Sequence, residues 1–370
     1  MLSLPSLLSK QIAMKVIVGM SGGVDSSVTA YLLQQQGFTV AGLFMKNWED
    51  EDSAAYCSAT EDEADARTVC DRLKIPLYTV NFAKTYWEQV FEYFLAEHRA
   101  NRTPNPDVLC NQEIKFDAFL RYALDLGADY MATGHYAFTY KQDNVYFLNK
   151  ASDLSKDQSY FLCRLNQYQL QHSLFPLGKY SKSRIREIAK AQGFINHNKK
   201  DSTGICFIGK RNFKEFLAQY ITPKPGLIKT EVGEILGEHD GLMFYTIGQR
   251  QGLKIGGRRY KDEKPWYVAA KDSTTNTLIV VQGHEHPLLL RTELICNQIH
   301  WITPPVPTLP LTCCAKIRYR QLDQVCTIYP DDTGEQLRIK FTHPQWAITP
   351  GQSIVFYQGE QCLGSGNIEE

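Results

Sequence analysis

Residues 16–28 read Val-Ile-Val-Gly-Met-Ser-Gly-Gly-Val-Asp-Ser-Ser-Val, and they constrain the fold of this chain more than any other stretch. The β-branched apolar residues Val16, Ile17 and Val18 predict a strand buried on both faces, as a central strand of a parallel sheet must be. Gly22 and Gly23 permit unusual φ/ψ and let a ligand approach bare backbone. Asp25, Ser26 and Ser27 fall at cap and first-turn positions ahead of the apolar-periodic Val28, Leu32 and Leu33. A strand, a turn and a helix start in this order aim free N–H groups and the positive helix end at one point, which favours an anion such as a polyphosphate. The spacing is neither the lysine-bearing Gly-x-x-x-x-Gly-Lys-[Ser/Thr] loop nor the dinucleotide Gly-x-Gly-x-x-Gly. Taken alone, the loop leaves an ordinary glycine turn as the alternative.

Strand and helix patterns alternate over the first two hundred residues. Apolar runs at 38–45, 77–80 and 130–133 predict strands, and 61–73, 83–100 and 111–126 predict helices. This alternation implies an α/β fold with a doubly wound parallel sheet, whose ligands bind at the carboxyl ends of the strands. The glycine loop and Gly134, which follows a later strand, both fall at that edge. Beyond about residue 220, short β-rich runs at 266–270, 277–281, 311–319, 325–329, 337–341 and 353–357 predict two small β-rich or barrel domains. Thr222-Pro-Lys-Pro-Gly226 reads as a linker. The expected division is 14–215, 216–282 and 283–368. Residues 1–13 read as an N-terminal extension or an upstream start, with too little charge for a secretory signal.

A length of 370 residues exceeds a single core, and 43% hydrophobic against 22% charged residues is a globular balance. No apolar run reaches the roughly 18 residues of a membrane span. The 40 basic and 40 acidic residues are unevenly placed. Residues 1–150 hold 13 basic and 19 acidic (net −6), 151–270 hold 20 and 11 (net +9), and 271–370 hold 7 and 10 (net −3). A basic middle suits a polyanion, with a solvated surface as the alternative. Ten cysteines form no Cys-x-x-Cys and no zinc spacing, so no metal site is expected from them. A reducing cytoplasm is the expected compartment.

Two thiols stand in distinctive contexts. Cys110 ends Thr-Pro-Asn-Pro-Asp-Val-Leu-Cys (103–110), just ahead of a predicted helix whose dipole would favour the thiolate. Asp107 is a candidate acid/base group beside it. Cys206 lies in Asp-Ser-Thr-Gly-Ile-Cys-Phe-Ile-Gly (201–209), with Lys199, Lys200, Lys210 and Arg211 nearby to lower its pKa. The alternatives are a capping-region thiol and a buried thiol. Lys182, Arg184, Arg186, Arg258 and Arg259 are candidate RNA phosphate contacts by charge. His135 fits either a nucleotide contact or a structural role. Cys313 and Cys314 read as facing opposite sides of a barrel strand. Glu49–Asp52 reads as a solvated loop or a Mg²⁺ site, with Asp25 the stronger candidate for Mg²⁺–pyrophosphate.

Six motifs occur in order: Gly-Met-Ser-Gly-Gly-Val-Asp-Ser-Ser (19–27), Asn-Pro-Asp-x-x-Cys-Asn-x-x-Ile-Lys-Phe (105–116), Ala-Thr-Gly-His-Tyr (132–136), Lys-Asp-Gln-Ser-Tyr-Phe-Leu (156–162), Asp-Ser-x-Gly-Ile-Cys-Phe-Ile-Gly (201–209) and Tyr-Thr-Ile-Gly-Gln-Arg-x-Gly-Leu (245–253). Together they resemble the tRNA-specific 2-thiouridylase family of bacteria from Lys15 almost to the C-terminus, departing only in the extra N-terminal residues. The first motif alone is shared with many adenylating enzymes of the PP-loop, adenine nucleotide alpha hydrolase-like fold.

The resemblance implies thiolation of the wobble uridine in tRNAs for Lys, Glu and Gln. ATP, as MgATP, would be held by Gly19, Met20, Ser21, Gly22, Gly23, Val24, Asp25 and Ser26 with Met45 and Gly134, and would adenylate the uridine oxygen at C2. Cys206 would carry sulfur as a persulfide from a cysteine desulfurase or a relay carrier protein. Cys110 would release it or form a disulfide with Cys206, and Asp107 would be the acid/base group. Asn105, Pro106, Asp107, Lys156, Asp157, Gln158, Arg318 and Tyr319 would touch the anticodon region, which is read unstacked. A monomer holding one tRNA is expected. The rival readings are an ATP-dependent amide-forming ligase and a non-catalytic tRNA-binding scaffold.

Overall fold

Alternate residues of the first strand enter different cores. Val16, Val18 and Met20 pack into one apolar cluster with Val28, Leu33, Ala66, Val69, Ile185 and Ala189. Ile17 packs into a second with Phe116, Phe119, Leu120 and Met131. Both faces of the sheet are therefore covered, which is why the strand reads as an unbroken apolar run. The computed structural model describes residues 14–48, 54–200, 212–255, 264–331 and 335–369, excepting the side chains of 54–58.

The first half of the chain contributes β1 (Lys15–Met20), β2 (Thr39–Lys46), β3 (Leu77–Asn81), β4 (Tyr130–Ala132), β5 (Ala137–Gln142), β6 (Val145–Lys150) and the short β7 (Ser173–Leu174). Five of these form a sheet in the order β3-β2-β1-β4-β7, and every neighbouring pair is parallel. The chain leaves β1 toward β2 on one side and reaches β4 on the other. The carboxyl end of β1 is thus a topological switch point, where a crevice opens. Helix α1 (Val24–Gln35) starts directly there.

A second helical stretch, Pro106–Leu109 running on through Cys110–Ala118 to Phe119–Asp125, begins five residues earlier than its apolar pattern suggests. Asn105 caps it and Pro106 occupies its first turn, a position where the missing proline N–H is harmless.

The remaining strands are β8 (Gly226–Thr230), β9 (Ile235–His239), β10 (Trp266–Asp272), β11 (Thr277–Gln282), β12 (Leu290–Trp301), β13 (Leu311–Lys316), β14 (Gln324–Pro330), β15 (Leu337–Trp346), β16 (Ser353–Gln358) and β17 (Gln361–Ile368). The central four form one sheet, β10-β11-β8-β9. The last six close into a barrel, because β12 pairs with β15 on one edge and with β17 on the other. Closure removes the free edges a six-stranded sheet would expose. Cys313 faces the barrel core and Cys314 packs against the second cluster of the parallel domain, on opposite sides of β13.

The β5–β6 hairpin leaves the parallel domain and pairs with β17, Cys362 opposite Leu148. Its turn residues Asp143 and Asn144 both have positive φ, 49° and 63°, the geometry a two-residue hairpin turn requires. Among the described residues no helix is long and apolar enough to cross a membrane.

Candidate active site

The loop between β1 and α1 is organised by its own hydroxyls. Ser26 Oγ donates to the Gly23 carbonyl at 3.1 Å and accepts from the Ser21 N–H at 3.2 Å. Ser27 Oγ donates to the same carbonyl at 2.9 Å. Gly22 takes φ +71°, and a Cβ there would lie 2.3 Å from the Asp62 carbonyl oxygen, so only glycine fits. Gly23 precedes α1 without any side-chain cap, which leaves the positive helix end open toward the crevice.

Asp25, in the first turn, is the centre of a charged cluster. Lys182 Nζ donates to both carboxylate oxygens at 2.8 and 2.7 Å, and the Tyr136 hydroxyl donates to one at 2.8 Å. Lys182 is 8% exposed, so its expected role as an RNA phosphate contact is corrected: the ammonium is turned inward to the loop. Arg186 likewise serves the protein, donating to the His197 and Lys199 carbonyls. Arg184 pairs with Glu187 on the surface. Arg258, Arg259, Glu49–Asp52, Lys210, Arg211 and Cys206 lie outside the described residues.

Gly134 closes the other wall. A Cβ on it would sit 2.9 Å from Asp25 Cβ and from the Ser26 nitrogen, so the close approach of this residue to the loop depends on its absence. Met45 ends the same edge: the register sets Met20 beside Phe44, which leaves Met45 one step beyond β1. Gly19 through Ser26, Met45 and Gly134 are therefore brought together. His135 is buried, its Nδ1 2.7 Å from Thr133 Oγ1, and burial holds its pKa well below the usual histidine value.

The loop of Asn105, Pro106 and Asp107 turns into the second helix. Burial pushes the Asp107 carboxyl above its usual value, against the opposing charge of Lys115. Cys110 lies one turn inside that helix, not at its start, and is 3% exposed. The expected dipole assistance is correspondingly weaker, since it fades beyond the first turn. Cys110 packs with Tyr86, Val90, Phe91, Ile114 and Phe216. Among the described residues no group of three or more His, Cys, Asp or Glu could hold a metal ion, and no described cysteine is disulfide-bonded.

The remaining candidates divide by what their polar atoms do. The Asp157 carboxylate is buried and accepts from the Ala151 N–H at 3.0 Å and the Ser159 hydroxyl at 2.9 Å. Gln158 Oε1 accepts from the Tyr136 N–H at 2.9 Å, which ties residues 156–158 to the side chain holding Asp25. Arg318 Nη2 donates to the carbonyls of Ala347 (2.7 Å) and Ile247 (3.2 Å). Lys156 is half-buried, and Tyr319 packs on Phe161 with centroids 4.3 Å apart and the rings tilted by 46°. Tyr136 and Lys182 are the loop partners that sequence reasoning did not place there. Tyr136 closes a quoted motif, but nothing in the spacing tied either residue to Asp25.

A parallel sheet with an anion loop at its switch point, followed by two β-rich domains, defines a nucleotide-binding α/β protein with appended barrels. Family models agree over three segments: "tRNA methyl transferase HUP domain" at 14–210, "tRNA methyl transferase PRC-barrel domain" at 214–282 and "Aminomethyltransferase beta-barrel domain" at 291–368. A relative from Legionella pneumophila (strain Lens), named tRNA-specific 2-thiouridylase MnmA, is 58% identical over 356 residues, covering 96% of this chain and 98% of its own length. A protein of the same name from Coxiella burnetii (strain RSA 493 / Nine Mile phase I) is 56% identical over 353 residues, covering 95% and 97%. The chain belongs to the tRNA-specific 2-thiouridylase family. Among solved structures, a 4-thiouridine synthetase–RNA complex with bound ATP has 16% identity and a TM-score of 0.33, covering 56% of this chain and 50% of its own.

Proposed function

We propose that this protein is an ATP-dependent sulfurtransferase that converts the wobble uridine of tRNAs for Lys, Glu and Gln to 2-thiouridine. The observation that carries the reading is the β1–α1 loop, where Gly22 and Gly134 pack so closely that neither admits a Cβ, and whose uncapped helix start at Gly23 suits a polyphosphate. A methyl donor carrying a sulfonium cation would have no use for such a loop.

In this reading the loop holds the nucleotide phosphates, and Met45 and Gly134 shape the space for the nucleoside. Asp25 would be the carboxylate that organises Mg²⁺ with the nucleotide, sharing its oxygens with the Lys182 ammonium, and the metal would neutralise pyrophosphate charge. The uridine oxygen at C2 attacks the α-phosphorus, pyrophosphate leaves, and the oxygen becomes part of an AMP leaving group. Asp107, whose carboxyl pKa burial raises above its usual value, exchanges a proton with the base during the reaction. Cys206 carries the outer persulfide sulfur, delivered by a cysteine desulfurase or a carrier protein. Attack of the Cys110 thiolate on the inner sulfur forms a Cys110–Cys206 disulfide and frees sulfide, which displaces AMP from C2. A cellular dithiol then reduces the disulfide, closing the two-electron balance. Asn105, Lys156, Gln158 and Tyr319 form the RNA-facing set, while the buried Pro106 and Asp157 and the half-buried Arg318 act from behind by fixing the segments that carry it.

Mass spectrometry of tRNA nucleosides from cells lacking the protein tests the substrate: wobble 2-thiouridine should disappear, and an unchanged level refutes the assignment. Cys206→Ser should abolish sulfur transfer, whereas an amide-forming ligase would keep its activity. tRNA-dependent release of pyrophosphate from ATP separates an enzyme from a binding scaffold.

A further inference from the structure

Asn196 follows the Lys182–Ala191 helix and belongs to none of the six motifs, yet it is 3% exposed and reaches the loop from beneath. Its Nδ2 donates to the Gly22 carbonyl at 3.0 Å and to Ser27 Oγ at 2.9 Å. The Gly22 carbonyl can only accept, so the amide nitrogen must face the loop. Ser27 Oγ, receiving that bond, passes its own hydrogen to the Gly23 carbonyl at 2.9 Å. Asn196 thereby fixes the Gly22 carbonyl directly and, through Ser27, reinforces the Gly23 carbonyl, which also accepts from Ser26 Oγ at 3.1 Å and from the Ser27 N–H at 3.4 Å.

A trans peptide unit is planar, so its C=O and the following N–H point in opposite directions. Drawing the Gly22 carbonyl inward turns the Gly23 N–H outward. Drawing the Gly23 carbonyl inward turns the Val24 N–H outward. These are the two groups at the uncapped start of α1. The Asn196 carbonyl oxygen, meanwhile, is buried without a hydrogen-bond partner among the described residues. An unpartnered buried acceptor is unfavourable, and its retention argues that the amide is held for its donors. A leucine supplies no donor, and an aspartate sets acceptors against acceptors.

We propose that Asn196 is the positioning residue of the nucleotide site, orienting the Gly23 and Val24 N–H groups toward the phosphates without touching them. The inference rests on the reading that the loop binds ATP. It separates the two ends of the nucleotide, because the phosphates depend on Asn196 and the nucleoside does not.

The test measures dissociation constants of MgATP, inorganic pyrophosphate and adenosine for the full-length wild type, Asn196→Leu and Asn196→Ala. In both variants MgATP and pyrophosphate should weaken roughly tenfold or more, as expected when bonds to charged phosphate are misaimed, while adenosine stays within about twofold. Equal weakening of all three ligands marks a general loosening of the domain and overturns the proposal. Unchanged MgATP affinity in either folded variant overturns it as well. The smaller Ala substitution serves if the Leu variant does not fold. A wild type that binds neither MgATP nor pyrophosphate would instead refute the nucleotide reading itself.

Discussion

Gly134 and Lys182 bound the same carboxylate for opposite physical reasons, one by having no side chain and one by spanning a distance with a charged one. At Gly134 the obstacle to any larger residue is backbone: an added Cβ would lie 2.9 Å from the Ser26 nitrogen and the Asp25 carbonyl carbon. Neither can rotate away, so Gly134→Ala must displace the loop. ATP-dependent pyrophosphate release should fall by about 100-fold, the effect of misplacing reacting groups by roughly 1 Å, with bound tRNA little changed. Lys182 contributes two charge-assisted bonds to Asp25. Lys182→Met leaves Asp25 with the Tyr136 hydroxyl, and kcat/KM for ATP should drop roughly 10–100-fold, as for about 1.5–3 kcal/mol. The glycines and Asp25 were legible in the sequence because a strand-to-helix turn dictates their types locally. Lys182 was not: a lysine 157 residues from Asp25, in a helix of mixed charge, carries no local sign of which way it faces.

Elements were legible in proportion to how locally they are determined. β1 to β4 appear near their expected positions because β-branched apolar runs between breakers need no distant partner to be recognised. The start of the Cys110 helix was missed because the apolar pattern begins only at 111, although Pro106 in the first turn is compatible with a helix start. The β5–β6 hairpin was missed because its partner strand, β17, lies more than two hundred residues away.

The Glu92–Arg99 helix shows what such distant contact does to a side chain. His98 is 3% exposed, stacked edge-on against Phe94, with its Nδ1 3.1 Å from the Met243 carbonyl oxygen in the central domain. Burial lowers its pKa from 6.5 to about 4. The unfolded chain therefore binds the proton more readily, and the stability that neutral His98 contributes is complete above pH 6.5 and lost as pH falls toward 4. The loss should approach about 3 kcal/mol. Denaturant titrations at pH 7 and pH 4 should show a smaller acid loss in His98→Gln than in the wild type, and equal losses would exclude this histidine as the cause.

At the scale of the whole molecule, the three expected segments share cores. The cluster around Cys110 includes Phe244, Val268 and Leu278 of the central segment, and the cluster beneath β1 includes Val355 and Cys362 of the barrel. No pattern confined to one segment could reveal this. A chain so joined holds its three segments in one frame, and Arg318 is a tie in that frame. Its Nη2 bridges the Ile247 carbonyl in the central segment to Ala347 and Thr349 in the barrel, and the guanidinium lies 5.1 Å over the Trp346 ring. Burial lowers its pKa, the signature of a cation withdrawn from solvent. Arg318→Ala would leave the Ile247 carbonyl without this donor, while the Ala347 carbonyl keeps the Thr349 hydroxyl at 2.9 Å, and should destabilise the protein by roughly 1–3 kcal/mol. Its effect on RNA distinguishes a tie from a direct contact. A direct phosphate contact, once removed, reduces the slope of log K against log salt by about 1. A tie lowers tRNA affinity by letting the barrel and central segment shift, with the slope unchanged. Titrations of tRNA across a salt series should therefore give parallel lines for the wild type and Arg318→Ala, and a shallower line for the variant would place the guanidinium on the phosphate backbone instead.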